Sequence, residues 1–486
     1  MAKVNEFETA TYTYSSAKQR FPDEANAHYR YPSAELLLDN LDDLSKMIQH
    51  HIQHQRPRLK TLENYYKGNN ETILQANRRK EEHLADHRAT HNFAKYVSQF
   101  IQGYMVGVPL KTSHKDEEIN EKLRDINRIN DADEHNSELV LNQSIYGRAY
   151  ELLYRNKNDE TRFTTLDVKE TFVIYDDTVE MSPIAGVRYF NNKFNDDTLN
   201  VYLYTDSKIY HFITKDQHSY KLTLEKGEEH FFKGVPIIEY MNNKFRQGDF
   251  EDVLNLIDLY DAAQSDTANY MTDLNDAYLV IQGNVDLDVE TAEKMKEARL
   301  ILLQTEPGVE GKASQADAKY IYKQYDVSGT EAYKDRLAED IHKFTATPNM
   351  NDEKFSGIQS GEAMKYKLFA LEQARATKER MFKKALRDRY RLINNVMTMA
   401  SEGNFDVNDI QIVFTPNLPK SLKEEIEMFI KLGGKLSDET TLSVLSLVEN
   451  PKEELEKIEA ENKLNQPTYD FEQFQNQDEE VTDNDE

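Results

Sequence analysis

The sequence predicts an α+β chain in which helices and strands are segregated rather than alternating. Three observations carry this. Residues 33–146 repeat apolar side chains at helical spacing, residues 148–232 switch to period two, and residues 249–400 return to helical spacing around a short mixed insert.

In the first part, residues 1–32 are polar and irregular and read as an arm. Ser33 to Gln53 reads as a helix with Ala34, Leu36, Leu37, Leu41, Leu44 and Ile48 inward; Arg58 to Lys67 is a second, stopped by Gly68. Asn92 to Met105 is amphipathic, with Phe93, Tyr96, Val97, Phe100, Ile101 and Tyr104 on one face. Asp116 to Asn130 and Ala132 to Tyr146 are two further helices.

Alternation then predicts strands over 148–154, 163–168, 171–175, 184–190, 200–204, 208–214, 219–224 and 230–232. Asn191-Asn192, Thr205-Asp206 and Lys226-Gly227 supply turns in one antiparallel region that closes at 234–245.

Helix resumes over 249–276, with Asp249 as the expected N-cap and Asp252 three positions on. Strands over 278–282, 300–304 and 319–325 and a helix over 290–298 form a small α/β insert. A helix over 330–344 follows. Tyr333, Leu337, Ile341 and Phe344 share one face, opposite Lys334, Asp335, Arg336, Glu339, Asp340 and Lys343. Pro348 blocks its continuation, and residues 346–361 form a loop rich in Asn, Asp, Ser and Gly.

Ser360 is the expected N-cap of a long helix that runs uninterrupted by Pro or Gly from Glu362 to Glu402, roughly 60 Å. Its stretch 375–391 is basic, carrying Arg375, Lys378, Arg380, Lys383, Lys384, Arg387, Arg389 and Arg391. A strand over 410–414 and helices over 421–432, 437–447 and 451–462 complete a small helical C-terminal subdomain. The tail after Asn465 carries eight acids and no base and reads as disordered.

Composition narrows the function classes. The formal charge of −27 argues against a general nucleic-acid binder, although not against a conduit, which should hold DNA weakly. With no Cys there are no disulfides, thiolate metal sites or cysteine nucleophiles. No apolar segment approaches the length of a membrane span, and the N-terminus lacks the apolar core of a signal peptide, so the simplest compartment is the cytosol or an assembly built there.

Candidate chemistry is sparse. His83, His87 and His91 stand at i, i+4 and i+8 and could share a helix face around a metal, but without an HExxH pattern; the plainer reading is a polar face. His50, His51 and His54 read as solvated. Gly311-Lys312 and Gly434-Lys435 are not phosphate loops: Glu306 and Phe429 replace the first Gly, and Ala313 and Leu436 replace Ser or Thr. No GxSxG is present. The expectation is therefore no enzyme, no cofactor and no resident metal. The basic run 375–391 could touch nucleic acid, although such runs are more often solvated or paired with acids.

Four segments carry a family resemblance: HNFAKYVSQFIQGYMVGVPL (91–110), SIYGRAYELLY (144–154), GVPIIEYMNN (234–243) running into DFEDVLNLIDLYDAAQSDTAN (249–269), and DAYLVIQG (276–283). In this order, with the helix–insert–helix arrangement, the chain resembles the portal proteins of tailed bacteriophages, in the subfamily found in siphophages of Gram-positive bacteria. The resemblance spans residues 35–460 and excludes the arm and the tail.

It implies a portal fold with long stem helices, an antiparallel β-rich wing, a small α/β clip and a helical crown. On this chain the wing is 33–248, the stem helices 249–276 and 330–345, and the clip 277–329. The tunnel loop is 346–361, the long wing helix 362–400 and the crown 401–464. It also implies a ring of roughly twelve subunits at one capsid vertex, conducting double-stranded DNA in packaging and ejection. The implied partners are the terminase large subunit, scaffolding and major capsid proteins and a head-completion or adaptor protein, with no membrane. The implied locations are the virion and, during assembly, the host cytoplasm.

The loop residues placed to meet DNA are Asn349, Asn351, Asp352, Glu353, Lys354 and Phe355; the channel wall would carry Lys334, Asp335, Arg336, Glu339 and Lys343. The rival readings are an intracellular hydrolase or nucleotidyltransferase with an unrecognised site, and a monomeric scaffold or adaptor.

Overall fold

The structure, a computed structural model, describes residues 20–75, 85–191, 198–215, 220–273, 278–283, 300–304, 317–321, 326–350, 366, 368–417, 422–432, 434–442, 445, 448 and 451–464. It divides into two units. One joins residues 1–357 with 366–417, the other joins 358–365 with 418–486.

The first unit begins with strand β1 (Tyr29–Arg30), then helices α1 (Ala34–Asp39), α2 (Leu41–His50), α3 (Arg56–Tyr66) and α4 (Glu71–Leu74). The Ser33 hydroxyl accepts from the Leu36 amide and starts α1. A π-helical turn, His51–Gln55, joins α2 to α3. Leu36 is 52% exposed rather than inward, because α1 ends at Asp39 and α2 restarts on a new phase. His51 also departs from expectation: it is buried, with its Nδ1 2.7 Å from the Tyr189 hydroxyl. Helix α5 (Phe93–Val106) is capped by the Asn92 side chain at the Lys95 amide. Strand β2 (Lys111–Ser113) and helices α6 (Glu117–Ile129) and α7 (Ala132–Tyr146) follow. Gly147 ends α7 at φ +80°, where a Cβ would sit 2.0 Å from the Arg246 carbonyl oxygen.

The β region forms two sheets instead of one. Its strands are β3 (Arg148–Arg155), β4 (Thr161–Leu166), β5 (Thr171–Tyr175), β6 (Pro183–Asn191), β7 (Leu199–Tyr204), β8 (Lys208–Thr214), β9 (Thr223–Glu229) and β10 (Ile237–Met241). Six strands pair in the order β1-β5-β6-β7-β8-β9, and three pair as β10-β3-β4. Only β1 on β5 is parallel in these two sheets, so the expected arm contributes an edge strand.

Leu37, Leu44 and Ile48 pack on the larger sheet through Phe172, Ile174, Val187, Val201, Leu203 and Phe212. β3 is buried from Arg148 to Leu153 without the expected alternation, because it is a central strand with α7 packed on it. The sequence predicts a strand over 219–224, a turn at Lys226-Gly227 and a last strand over 230–232. Instead β9 runs through that turn, Gly227 opposite Tyr210, and is exposed along its whole length. No buried face fixes the register of such an edge strand. Residues 230–232 form no strand; Phe232 enters the core alone.

Helix α8 (Leu254–Asp273) follows a short 3-10 turn at Glu251–Val253. Asp249 is not its cap. Its carboxylate takes hydrogen bonds from Asn242 and Lys378, while the Glu251 carboxylate accepts from the Gly248 amide at 2.9 Å. Strands β11 (Tyr278–Gly283), β12 (Leu300–Gln304) and β13 (Asp317–Ile321) pair as β12-β11-β13, with β12 parallel and β13 antiparallel to β11. The helix expected over 290–298 lies outside the described residues.

Helix α9 (Val327–Phe344) is capped by Asp326 at the Gly329 amide, 2.9 Å. Helix α10 (Phe369–Met399) is 31 residues, about 46 Å, and shorter than expected; its anticipated start at Ser360 lies outside the described residues. A second core surrounds α10: Phe382, Leu386, Tyr390, Ile393 and Val396 meet Leu139, Leu153, Ile238, Tyr240 and Phe414. Strand β14 (Gln411–Val413) pairs with β2, so residues 401–417 belong to the first unit rather than with the helices that follow. The second unit carries α11 (Leu422–Leu432), α12 (Asp438–Leu442) and α13 (Pro451–Leu464). The acidic tail lies outside the described residues.

Candidate functional site

The candidate site is the helix pair α8/α9 and the connection from α9 to α10. α9 packs along α8, and its buried positions are Lys334, Leu337 and Ile341. This rotates the face read from the sequence. Tyr333 and Phe344, expected inward, are 46% and 62% exposed. Lys334, expected on the wet face, is 6% exposed; its ammonium donates to Gln264 Oε1 at 2.8 Å and pairs with Glu331 at 2.6 Å. The lysine's long stem fills apolar space while its head reaches a polar partner, which lets it occupy a helix–helix seam. Asp335, Arg336, Glu339 and Lys343 are exposed together on the opposite face, and Arg336 pairs with Asp340 at 3.1 Å.

Both ends of the α9–α10 connection are held by α5. After α9, Ala346 takes φ +54°, the Thr347 amide donates to His342 O at 3.0 Å, and the Thr345 and Thr347 hydroxyls meet at 2.7 Å. The Tyr96 hydroxyl then donates to Pro348 O at 2.7 Å, with its ring edge-on to His342. Burial lowers the His342 pKa, so this imidazole stays neutral at ordinary pH. At the other end Leu368 and Leu371 are buried, and the Tyr104 hydroxyl donates to Glu372 Oε2 at 2.8 Å. Arg375 clamps the same carboxylate from Nε at 3.0 Å and Nη2 at 2.6 Å. Of the expected loop residues, Asn349 is half-buried; Asn351, Asp352, Glu353, Lys354 and Phe355 lie outside the described residues.

Sequence reasoning missed the polar ladder that seats α8. Asp261, Ser265 and Asn269 stand at i, i+4 and i+8 and are all buried. Their oxygens accept from the backbone amides of His91 (2.8 Å), Ala89 (3.0 Å) and His87 (2.5 Å). Two residues of extended chain advance about 6.6 Å and four of helix about 6 Å, so the two series stay in register. Residues 85–92 are therefore not the helix that a shared histidine face requires. His83 lies outside the described residues, and among those described no group of three or more His, Cys, Asp or Glu could hold a metal. The sequence offers only their helical spacing, and the other polar residues of α8, among them Asn255, Asp258, Gln264 and Asp266, mask it.

The α8 entry is tied down by charge. Arg58 forks onto Glu251 at 2.7 and 2.5 Å, Arg20 reaches Asp258 at 2.7 Å, and Lys378 of α10 pairs with Asp249. The arm expected to be irregular is thus fastened to the helix pair from Arg20 onward. Among the described residues no helix is long and apolar enough to cross a membrane.

The profile of the family described as phage portal protein, SPP1 Gp6-like, matches residues 45–468. The chain belongs to that family. Among curated relatives, the portal protein of Bacillus phage SPP1 is 24% identical over 397 residues, covering 77% of this chain and 76% of the relative. The portal protein of Clostridium phage phiCD119 is 24% identical over 400 residues, covering 78% and 85%. A chain from a solved structure described as the neck of an empty GTA particle computed with C6 symmetry covers 78% of this portal protein and 98% of itself, at 14% identity and a TM-score of 0.38.

Proposed function

We propose that this portal protein forms a ring of roughly twelve copies at one capsid vertex and conducts double-stranded DNA inward during packaging and outward at ejection. The match to the portal family over residues 45–468 carries the reading. The helix pair fits a channel wall: α8 and α9 bury one face against each other, while Asp335, Arg336, Glu339 and Lys343 leave a mixed-charge wet face that holds a polyanion only weakly. The loop Asn349–Phe355 is the proposed DNA contact. Terminase, scaffolding and capsid proteins and a head-completion protein are the proposed partners, and the ring performs no catalysis of its own.

The test uses the full-length protein. Native mass and negative-stain imaging should show rings with a central channel and no ATP turnover; a monomer, or robust turnover by homogeneous protein, contradicts the reading. Deleting Met350–Phe355 should spare the ring, because its anchors on Tyr96 and Tyr104 lie outside the deletion. Packaged DNA per capsid should fall. Wild-type packaging and retention by the deletion would remove the loop from the DNA path.

A further inference from the structure

The structure sorts the eight bases between Arg375 and Arg391 into two sets of four. Arg375 is engaged by Glu372 and Glu379, Lys378 by Asp249, Lys383 by Glu379 and Arg389 by Glu151. Arg380, Lys384, Arg387 and Arg391 are all exposed. They stand at i, i+4, i+7 and i+11, which places them in one line about 16 Å long on the outer face of α10. Among the described residues no carboxylate forms an ion pair with Arg380, Lys384 or Arg387, and Arg391 meets Asp388 at 3.0 Å.

Two occupants could answer this charge: the phosphate backbone of DNA, or an acidic face of a second copy. The composition of the line decides between them. Every exposed position from 373 to 398 is Gln, Thr, Lys or Arg, and none is apolar. A stable protein–protein contact desolvates an apolar centre within a polar rim. Backbone phosphates require only positive charge and hydrogen-bond donors, which three guanidinium groups and an ammonium supply. The line is also a local exception in a chain of net charge −27, so a polyanion repelled elsewhere is drawn to it.

We propose that Arg380, Lys384, Arg387 and Arg391 form a sequence-independent contact with the phosphate backbone of double-stranded DNA. The inference rests on the portal reading only in that the reading brings DNA to the protein. The contact is separate from the loop after α9 and is weak and salt-labile, as a passage for moving DNA needs.

The experiment titrates full-length protein with a short fluorescent duplex while ring formation is followed by native mass. Three phosphate contacts at the usual counterion release account for roughly 40-fold in affinity between about 50 and 200 mM salt. Arg380→Gln, Lys384→Gln and Arg387→Gln together should keep the ring, weaken duplex binding at least about tenfold at the lower salt and flatten the salt dependence. Arg380→Lys with Arg387→Lys should bind like wild type, which separates lost charge from lost folding. Changing the duplex sequence should change nothing. Unaltered binding by the Gln variant overturns the proposal. So does loss of the ring in that variant alone, which would make the line a subunit contact. Absence of rings in the wild type would instead strike the portal reading and leave the duplex titration to judge this one.

Discussion

The Glu151 carboxylate, fully buried, joins three elements. It accepts from His135 Nε2 at 2.6 Å on α7, from Tyr240 at 2.9 Å on β10, and from Arg389 on α10 at 2.6 Å through Nη2 and 3.0 Å through Nε. Burial alone would raise its pKa, but the Arg389 charge and the His135 hydrogen bond outweigh burial and hold it near 2. Glu151→Gln should therefore cost about 3–5 kcal/mol in denaturant unfolding, because Arg389 is left buried and unpaired. Glu151→Leu with Arg389→Met should cost less, since neither charge remains to be desolvated. The sign with pH follows from the depressed folded value. The stabilisation is complete above the ordinary 4.5 and is lost as pH falls toward 2, on the order of 3 kcal/mol. The Gln variant should be flatter than wild type across that window; equal stability and equal slope would remove the pair from the account.

Helix α8 shows what one element can hide. Asp261, Ser265 and Asn269 look like a solvent face from sequence, yet each seats a backbone amide of the extended segment 87–91. Asp261→Ala strands the His91 amide and one Asn70 donor, and should cost about 1–3 kcal/mol. Amide exchange at His87, Ala89 and His91 should accelerate while α8 itself stays protected; unchanged exchange at those three amides would sink the ladder. The same blindness explains Lys334. Periodicity gave α9 its length, but the burial of a lysine in place of Tyr333 was set by Gln264 on the partner helix, a residue 70 positions away. His87 and His91 failed as a metal face because their segment is extended, a choice made by α8 rather than by local propensity.

A molecule of charge −27 repels its own copies, and a ring brings those charges together. Ring stability should therefore rise with salt from low ionic strength up to where screening is complete, roughly 0.15–0.5 M. Dilution-induced dissociation measured by analytical ultracentrifugation should be greatest at the lowest salt. A ring insensitive to salt would mean that the subunit contacts pair charges so closely that the net charge has no influence. Family membership was legible at this scale because it rests on the order of several long segments. The sorting of the basic run on α10 was not, since all eight bases look alike until Asp249 and Glu151 engage two of them from elsewhere in the chain.

The order of elements, the helical and strand character of most of them, and the helix starts at Ser33, Asn92 and Asp116 followed from sequence alone; the structure shows those three side chains capping their helices. Periodicity and capping are local, acting over one or two turns of chain. What only the tertiary structure decided was non-local. It split the β region into two sheets, fastened the arm through Arg20 and β1, gave Asp249 to Lys378 rather than to its own helix, and placed Lys334 in a seam. The last two satisfy a buried charge with a partner far away in sequence. A buried charge takes the nearest partner in space, and that partner is specified by packing, which no local pattern encodes.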